Sequence, residues 1–174
     1  MDLIIRRAAL ATHQAGRDAL VDIAIDAGRI VAVEPNLTAA AAQEFDAAGS
    51  LVVPPFVDAH FHLDATLSYG LPRVNASGTL LEGIALWGEL KPTLTQEALI
   101  DRALQYCDWA VAHGLLAIRT HVDVCDPRLL AVEALLEVKR RVAPYLDLQL
   151  VAFPQDGLLR SAGAFENLRR AVAM

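Results

Sequence analysis

Two histidines one residue apart, His60 and His62, are the residues of this chain best suited to chemistry. They belong to a predicted strand, Leu51 to Asp64, in which alternate side chains lie on one face. The ionisable residues expected on that face are Asp58, His60, His62 and Asp64. Burying these groups is costly unless a charged partner meets them, and neutral imidazole binds divalent cations. We therefore interpret His60 and His62 as metal ligands; the alternative is a chance spacing of one exposed and one core histidine.

A second polar series, Arg119, His121 and Asp123, occupies alternate positions of the next predicted strand. We expect Arg119 and Asp123 to hold His121 in an ionic network. A ligand role for His121 and a buried neutral ring stay open as alternatives. A catalytic zinc usually takes three protein ligands and keeps one position for water, so His60 and His62 alone are an incomplete set.

Gln155 follows a third predicted strand, in the segment Phe153-Pro154-Gln155-Asp156-Gly157. A carboxamide donates and accepts hydrogen bonds at once, as an amide-like ring edge requires. The alternative is a loop glutamine that faces water, and the sequence favours neither.

The remaining residues of these chemical types are given structural roles. Asp58 and Asp64 are expected in hydrogen-bond networks, His113 in the last turn of a helix, His13 at the surface, and Cys107 and Cys125 as reduced, packed thiols.

The elements that must position these side chains alternate between strand and helix, which is typical of parallel βαβ units. The predicted strands are Leu51–Asp64, Leu115–Val124 and Leu148–Phe153; the predicted helices run from the N-cap Thr95 to Gly114, from Asp126-Pro127 to Pro144, and from Phe165 to Met174. The segment Ser68–Pro92, rich in glycine and proline, is expected to be a long irregular cover over a pocket.

Residues 1–50 are expected to form a small antiparallel β unit. Its predicted strands are Leu3–Leu10, Val21–Ile25 and Ile30–Glu34, with a tight hairpin at Asp26–Arg29. Such a unit is too thin to bury a core by itself.

Composition narrows the function classes. The net charge is −6 without a basic stripe, which argues against nucleic-acid binding. No apolar run approaches the roughly 18 residues of a membrane span, and the N-terminus lacks a secretory pattern, so we expect a cytoplasmic protein without a membrane partner. The 55% hydrophobic content suits buried parallel strands.

Three segments together resemble cytosine deaminases of the amidohydrolase superfamily: VVPPFVDAHFHLDATLSYGLPRVNASGTLLEGIALWGELKP, RTHVDVCD and LEVKRRVAPYLDLQLVAFPQDG. The resemblance covers about Leu51 to Gly157. It implies an α/β fold, the N-terminal part of a TIM (β/α)₈ barrel preceded by a small antiparallel β-sandwich segment. Residues 1–50 would be part of the sandwich, and residues 51–174 the first three βα units of a truncated barrel.

The resemblance also implies roles for particular residues. His60 and His62 match the first two ligands of a single Fe or Zn ion, Gln155 matches the glutamine that binds the pyrimidine, and Leu80 matches a position whose backbone contacts the base. In that family hydroxide attacks C4, a glutamate moves the proton to the ring nitrogen, and ammonia leaves to give uracil. That glutamate is expected beyond residue 174, so no catalytic residue is assigned and the 174 residues alone are expected to be inactive.

The expected function of the full-length protein is therefore metal-dependent deamination of cytosine or a close cyclic amidine. The alternatives are an amidohydrolase acting on another ring (isocytosine, creatinine or a triazine amine), a non-catalytic binding module, and a barrel completed by a separate chain. The expected partners are a small pyrimidine-like substrate and, at full length, further copies of the protein. The sequence does not decide the native metal or the ring.

Overall fold

The computed structural model describes residues 1–11 and 20–174, which form two compact units, Met1–Pro54 and Pro55–Met174. His13, for which a surface position is predicted, lies outside the described residues. Within these two ranges, no helix has the length and apolar character needed to cross a membrane.

The first unit is a mixed β-sheet rather than the antiparallel one that we predicted. Its strands are β1 (Leu3–Leu10), β2 (Val21–Asp26), β3 (Arg29–Glu34), β4 (Gln43–Asp46) and β5 (Leu51–Val52). The β1–β2 and β2–β3 pairs are antiparallel, as expected, but β4 and β5 both pair with β1 in parallel. Since β3 already runs in the direction of β1, residues 35–42 form a crossover to β4, and a hairpin cannot make that connection.

A carboxylate, rather than a large apolar cluster, organises the first unit. Asp22 is 6% exposed and accepts hydrogen bonds from the Arg7 backbone N–H (2.9 Å), the Arg6 guanidinium (3.0 Å) and the Leu37 N–H (3.0 Å). The Arg7 N–H, followed by the Arg6 guanidinium, lowers the pKa of Asp22 below its usual value against the opposing effect of desolvation. The ionised Asp22 thus satisfies two backbone donors of the unit, the N–H groups of Arg7 and Leu37.

The second unit has the predicted strand–helix alternation. Its parallel sheet has the order β6 (Phe56–Phe61), β7 (Leu115–Asp123), β8 (Asp147–Phe153), and its helices are α1 (Leu80–Leu90), α2 (Gln96–Ala112), α3 (Leu130–Val142) and α4 (Ala164–Val172), with a short 3-10 helix at Lys91–Thr93. The core lies between the sheet and the helices and includes the fully buried Leu99, Ile118, Leu135 and Leu148. The predicted α/β class is confirmed for this unit.

The strand predicted from Leu51 to Asp64 is two strands. β5 pairs with β1, whereas β6 pairs with β7, and Pro54-Pro55 lies between them. Proline lacks the N–H that a ladder needs, so two consecutive prolines interrupt the pairing. The histidine strand is consequently short, and His62 follows its last residue.

The segment Ser68–Pro92 contains a helix that we did not predict. Thr79 caps α1 by accepting a hydrogen bond from the Glu82 N–H, while the Glu82 carboxylate accepts one from the Ser77 N–H at 2.6 Å. Hydrogen bonds from Ser77 lower the pKa of Glu82 to about 2. The Thr79-x-x-Glu82 spacing of a capping box was the available signal, and the glycines within α1 obscured it.

The predicted ends of α2 are confirmed, but the predicted start of α3 is wrong. Thr95 accepts a hydrogen bond from the Ala98 N–H, and Gly114 follows α2 with a φ of +81°. The helix expected to open at Asp126-Pro127 begins at Leu130 instead. The Asp126 carboxylate is occupied by the N–H and guanidinium of Arg128, so the residue forms a local turn before the helix.

Candidate metal and substrate site

A bulge in β6 decides which side chains share a face with the histidines. Asp58 pairs with Ile118 and Phe61 pairs with Thr120, so β6 contains one more residue than β7 between these two pairs. Asp58 and Phe61 therefore both lie on the side of the buried Ile118 and Thr120. The prediction that Asp58 shares the histidine face is wrong, because the extra residue changes which side the chain presents. The Asp58 carboxylate accepts a hydrogen bond from the His60 N–H at 3.1 Å within the bulge.

Three imidazoles meet where β6 and β7 end. The ring centroids of His60 and His62 lie 5.4 Å apart, those of His60 and His121 4.0 Å, and those of His62 and His121 5.8 Å. Phe153, the last residue of β8, packs edge-on against His62 at 5.5 Å and His121 at 5.6 Å. Three neighbouring strand ends thus contribute to one cluster, in which His62, His121 and Phe153 are far apart in sequence.

The donor chemistry of this cluster fits part of a metal shell. With Zn–N bonds of about 2.1 Å and a tetrahedral angle, two imidazole centroids on one ion lie about 5 Å apart, which the His60–His62 separation matches. Burial, and then the neighbouring His60 and His121, lower the pKa of His62 and favour the neutral ring that binds metals. Within residues 1–11 and 20–174, no three His, Cys, Asp or Glu side chains form a metal-holding group, so the fit extends to two ligands.

His121 does not have the ionic partners that we predicted for it. Arg119 donates to the side-chain oxygen of Gln149 on β8, and Asp123 accepts from Lys91 (2.7 Å), so neither is hydrogen-bonded to the imidazole. Arg119 and Asp123 are each two residues from His121 on β7, which separates their side chains from the imidazole by roughly 7 Å along the strand. Gln149 and Lys91, on other elements, come closer to them. Among the residues that the structure describes, none is hydrogen-bonded to the buried Nδ1 atom of His121, and burial lowers the pKa of this ring.

Asp64 and Asp123 join the ends of β6 and β7. Asp64 is 1% exposed, and its carboxylate accepts hydrogen bonds from the Asp123 N–H (2.8 Å) and the Ala65 N–H (3.0 Å). Desolvation raises the pKa of Asp64 to about 7, against the opposing effect of these N–H groups. The expected network role of Asp64 is thus observed, and its carboxylate lies 3.9 Å from Nδ1 of His62.

Gln155 lies in the loop that follows β8, at the same edge of the sheet as the histidines. Its side chain is half-buried, and it comes two residues after the Phe153 ring that packs on His62 and His121. The loop is a tight turn in which the Gly157 N–H donates to the Pro154 carbonyl at 2.9 Å. Leu80, the other residue matched to base recognition, is 78% exposed at the start of α1.

The thiols have the structural role that we expected. Cys107 and Cys125 are both free and buried, and burial raises the pKa of Cys107 to about 11 and that of Cys125 above its usual value. Neither is suited to nucleophilic chemistry, because the reactive thiolate is disfavoured. His113 caps the C-terminus of α2, as predicted, with its Nδ1 atom 2.7 Å from the Trp109 carbonyl oxygen.

Comparison with known proteins finds that this chain is similar to hydrolases that act on C–N bonds. N-isopropylammelide isopropyl amidohydrolase of Pseudomonas sp. (strain ADP) is 34% identical over 99% of this chain and 43% of its own length. The crystal structure of 5-methylcytosine deaminase from Klebsiella pneumoniae liganded with 5-fluorocytosine is 42% identical, with a TM-score of 0.88 over 98% of this chain and 41% of that one. N-isopropylammelide isopropylaminohydrolase from Burkholderia multivorans ATCC 17616 has a TM-score of 0.78 at 29% identity, over 99% and 43% of the two chains.

This chain spans less than half the length of the curated relatives that it matches. The sequence profile of the Amidohydrolase family matches residues 43–174, three quarters of the chain and all of the second unit. The superfamily resemblance is therefore confirmed: this chain belongs to the amidohydrolase family.

Proposed function

We propose that the full-length protein carrying this chain removes the amino group of cytosine, or of a close cyclic amidine, by metal-dependent hydrolysis. One observation carries the proposal: the His60 and His62 rings meet at the ends of parallel strands, next to the loop that holds Gln155. Sites of (β/α)₈ barrels lie at this edge, and the second unit would be the first three βα units of such a barrel. The 42% identity to a 5-methylcytosine deaminase supports the same ring class.

The residues of this chain would bind and orient. His60 and His62 would hold one divalent ion, Fe or Zn, which when bound lowers the pKa of water and so supplies hydroxide near neutral pH. The Gln155 carboxamide would donate to a ring carbonyl and accept from a ring N–H, directing the amino-bearing carbon toward the histidines. The Phe153 ring, packed on His62, would keep bulk water from the imidazoles. The group that moves the proton is expected in the longer chain.

A second candidate is hydrolysis of an N-alkylated triazine amine. Two relatives, at 34% and 29% identity, are named for action on N-isopropylammelide. Such a ring also offers an amide-like edge, so that Gln155 would suit both substrates. The two candidates differ in the amine released, ammonia or isopropylamine.

The test is a substrate panel on the purified, metal-loaded full-length protein, with cytosine, 5-methylcytosine, isocytosine, creatinine and N-isopropylammelide. Ammonia from a pyrimidine is the expected product, and isopropylamine would favour the second candidate. Gln155→Ala should raise KM for the accepted ring about tenfold, because a hydrogen-bonding pair is lost. Gln105→Ala, at an exposed position of α2, is the matched control. Absence of turnover on every ring contradicts the proposal.

A further inference from the structure

We infer that Lys91 is a positioning residue for substrate binding: its ammonium ties the loop that carries Gln155 to the end of β7. The role of Gln155 in this inference rests on the proposed function. The attachment itself, which we call the tie, consists of the ion pairs of Lys91 with Asp123 and Asp156. Nζ of Lys91 lies 2.7 Å from Oδ2 of Asp123 and 2.8 Å from Oδ2 of Asp156. The Lys91 side chain is 13% exposed, so this shared ion pair is screened less than a surface pair.

Asp123 is the inner end of the tie and is itself held rigidly. It is 2% exposed, and the oxygen that binds Lys91 also accepts from Nε1 of Trp87 at 2.8 Å. Its backbone N–H donates to Asp64, which follows the histidines. Lys91 is therefore ion-paired with a carboxylate that is held at the ends of β6 and β7. Trp87, four residues before Lys91, binds the last turn of α1 to the same carboxylate.

Asp156 is the outer end of the tie and the direct neighbour of Gln155. Its carboxylate binds Lys91, and its N–H lies 3.4 Å from Sγ of Cys125. The peptide that joins Gln155 to Asp156 is thus held on its C-terminal side by one ion pair and one weak hydrogen bond. Loss of the ion pair would leave the loop with its internal turn but with a weaker attachment to the end of β7.

The geometry favours lysine at this position. A single ammonium reaches two carboxylate oxygens, on Asp123 and Asp156, at nearly equal distances. The guanidinium of arginine is a planar fork that pairs best with one carboxylate in a bidentate manner. Lys91→Arg should therefore keep the positive charge but only part of the attachment.

The first arm of the test measures amide hydrogen exchange in the full-length protein. Asp156→Asn removes the outer half of the tie, and Asp156 is 40% exposed, so no buried charge is stranded. Exchange of the amides of residues 156–161 should accelerate about tenfold, with α2 and α3 unchanged. Lys91→Met should have the same local effect but risks global unfolding, since it leaves Asp123 buried without its cation. Asp108→Asn, at an exposed carboxylate bonded to Tyr145, is the matched control.

The second arm measures kinetics on the ring that the wild-type protein accepts. Asp156→Asn should raise KM several-fold with kcat within about twofold, because binding of the ring edge, and not the hydrolytic step, depends on the placement of Gln155. In the Gln155→Ala background, Asp156→Asn should add no further rise, since the group being positioned is absent. A structural role alone would give additive losses.

The outcomes separate the two claims. Unchanged exchange in folded Asp156→Asn and Lys91→Met variants overturns the tie. Faster exchange with unchanged KM overturns the link to Gln155 and leaves the proposed function intact. A wild-type protein that turns over none of the rings overturns the proposed function, and the exchange arm then still decides whether Lys91 holds the loop.

Discussion

The rings of His60 and His121 stack with their centroids 4.0 Å apart and their planes inclined by 28°. One ring belongs to β6 and the other to β7, so the parallel pairing of these strands creates the contact. A stacked neighbour limits rotation of the His60 ring about its side-chain bonds. His121 therefore supports the plane of a proposed metal ligand without being assigned as a ligand.

Metal affinity should separate the three histidines. His60→Ala or His62→Ala should abolish stoichiometric zinc binding by the full-length protein. His121→Ala should weaken it by roughly 10–100-fold, because loss of a supporting residue lowers the metal affinity less than loss of a ligand does. Zinc content and competition with a chelator measure the difference. Equal losses for His60→Ala and His121→Ala would instead make His121 a ligand. His113→Ala, at the end of α2, is the control.

The bulge in β6 makes a prediction for Asp58. Because Asp58 lies on the face opposite the histidines, Asp58→Ala should leave the zinc stoichiometry unchanged. It should lower the free energy of unfolding by about 1 kcal/mol through loss of the hydrogen bond from the His60 N–H. Metal analysis and urea unfolding measure the two effects. Loss of zinc with no change in stability would place Asp58 on the histidine face after all.

The cap of α1 can be tested by Thr79→Ala. This change removes the side-chain oxygen that accepts from the Glu82 N–H, and should destabilise the protein by about 1 kcal/mol. Exchange should accelerate most in the first turn of α1. Thr38→Ala, at an exposed position of the first unit, should change the stability much less. Identical effects of the two substitutions would argue against Thr79 as the N-cap of α1.

Acid should destabilise the first unit through Asp22. Its folded-state pKa is lowered, so the ionised carboxylate stabilises the unit above the unfolded-state pKa of about 3.9, and this contribution is lost as the pH falls toward and through the lower folded-state pKa. The measurement is amide exchange in β1 and β2 between pH 6 and pH 3. Asp22→Asn should be less stable at pH 6 and should show a shallower dependence on pH. A dependence as steep as in the wild type would assign the effect to Glu44 and Asp46, whose pKa values are also lowered.

Local signals in the chain were sufficient for much of the second unit. Thr95 and Gly114 predicted the two ends of α2, because an N-cap hydroxyl and a positive φ act on residues that are close in the chain. The alternation of apolar strands and amphipathic helices predicted the parallel βαβ order for the same reason. The two errors of prediction, the missed α1 and the wrong start of α3, also concern local contacts. The hydrogen bonds of Thr79 and Asp126 that decide them reach only two or three residues along the chain.

By itself, then, the sequence determined the strand–helix order of the second unit, apart from α1, and the presence of His60 and His62 at the end of a strand. Only the tertiary structure decided which groups meet them: the bulge that turns Asp58 away, and the Lys91 that binds Asp123 from 32 residues earlier in the chain. The physical reason is that periodicity and capping act within one or two turns of the chain, whereas strand register and buried ion pairs depend on which distant segments pack together.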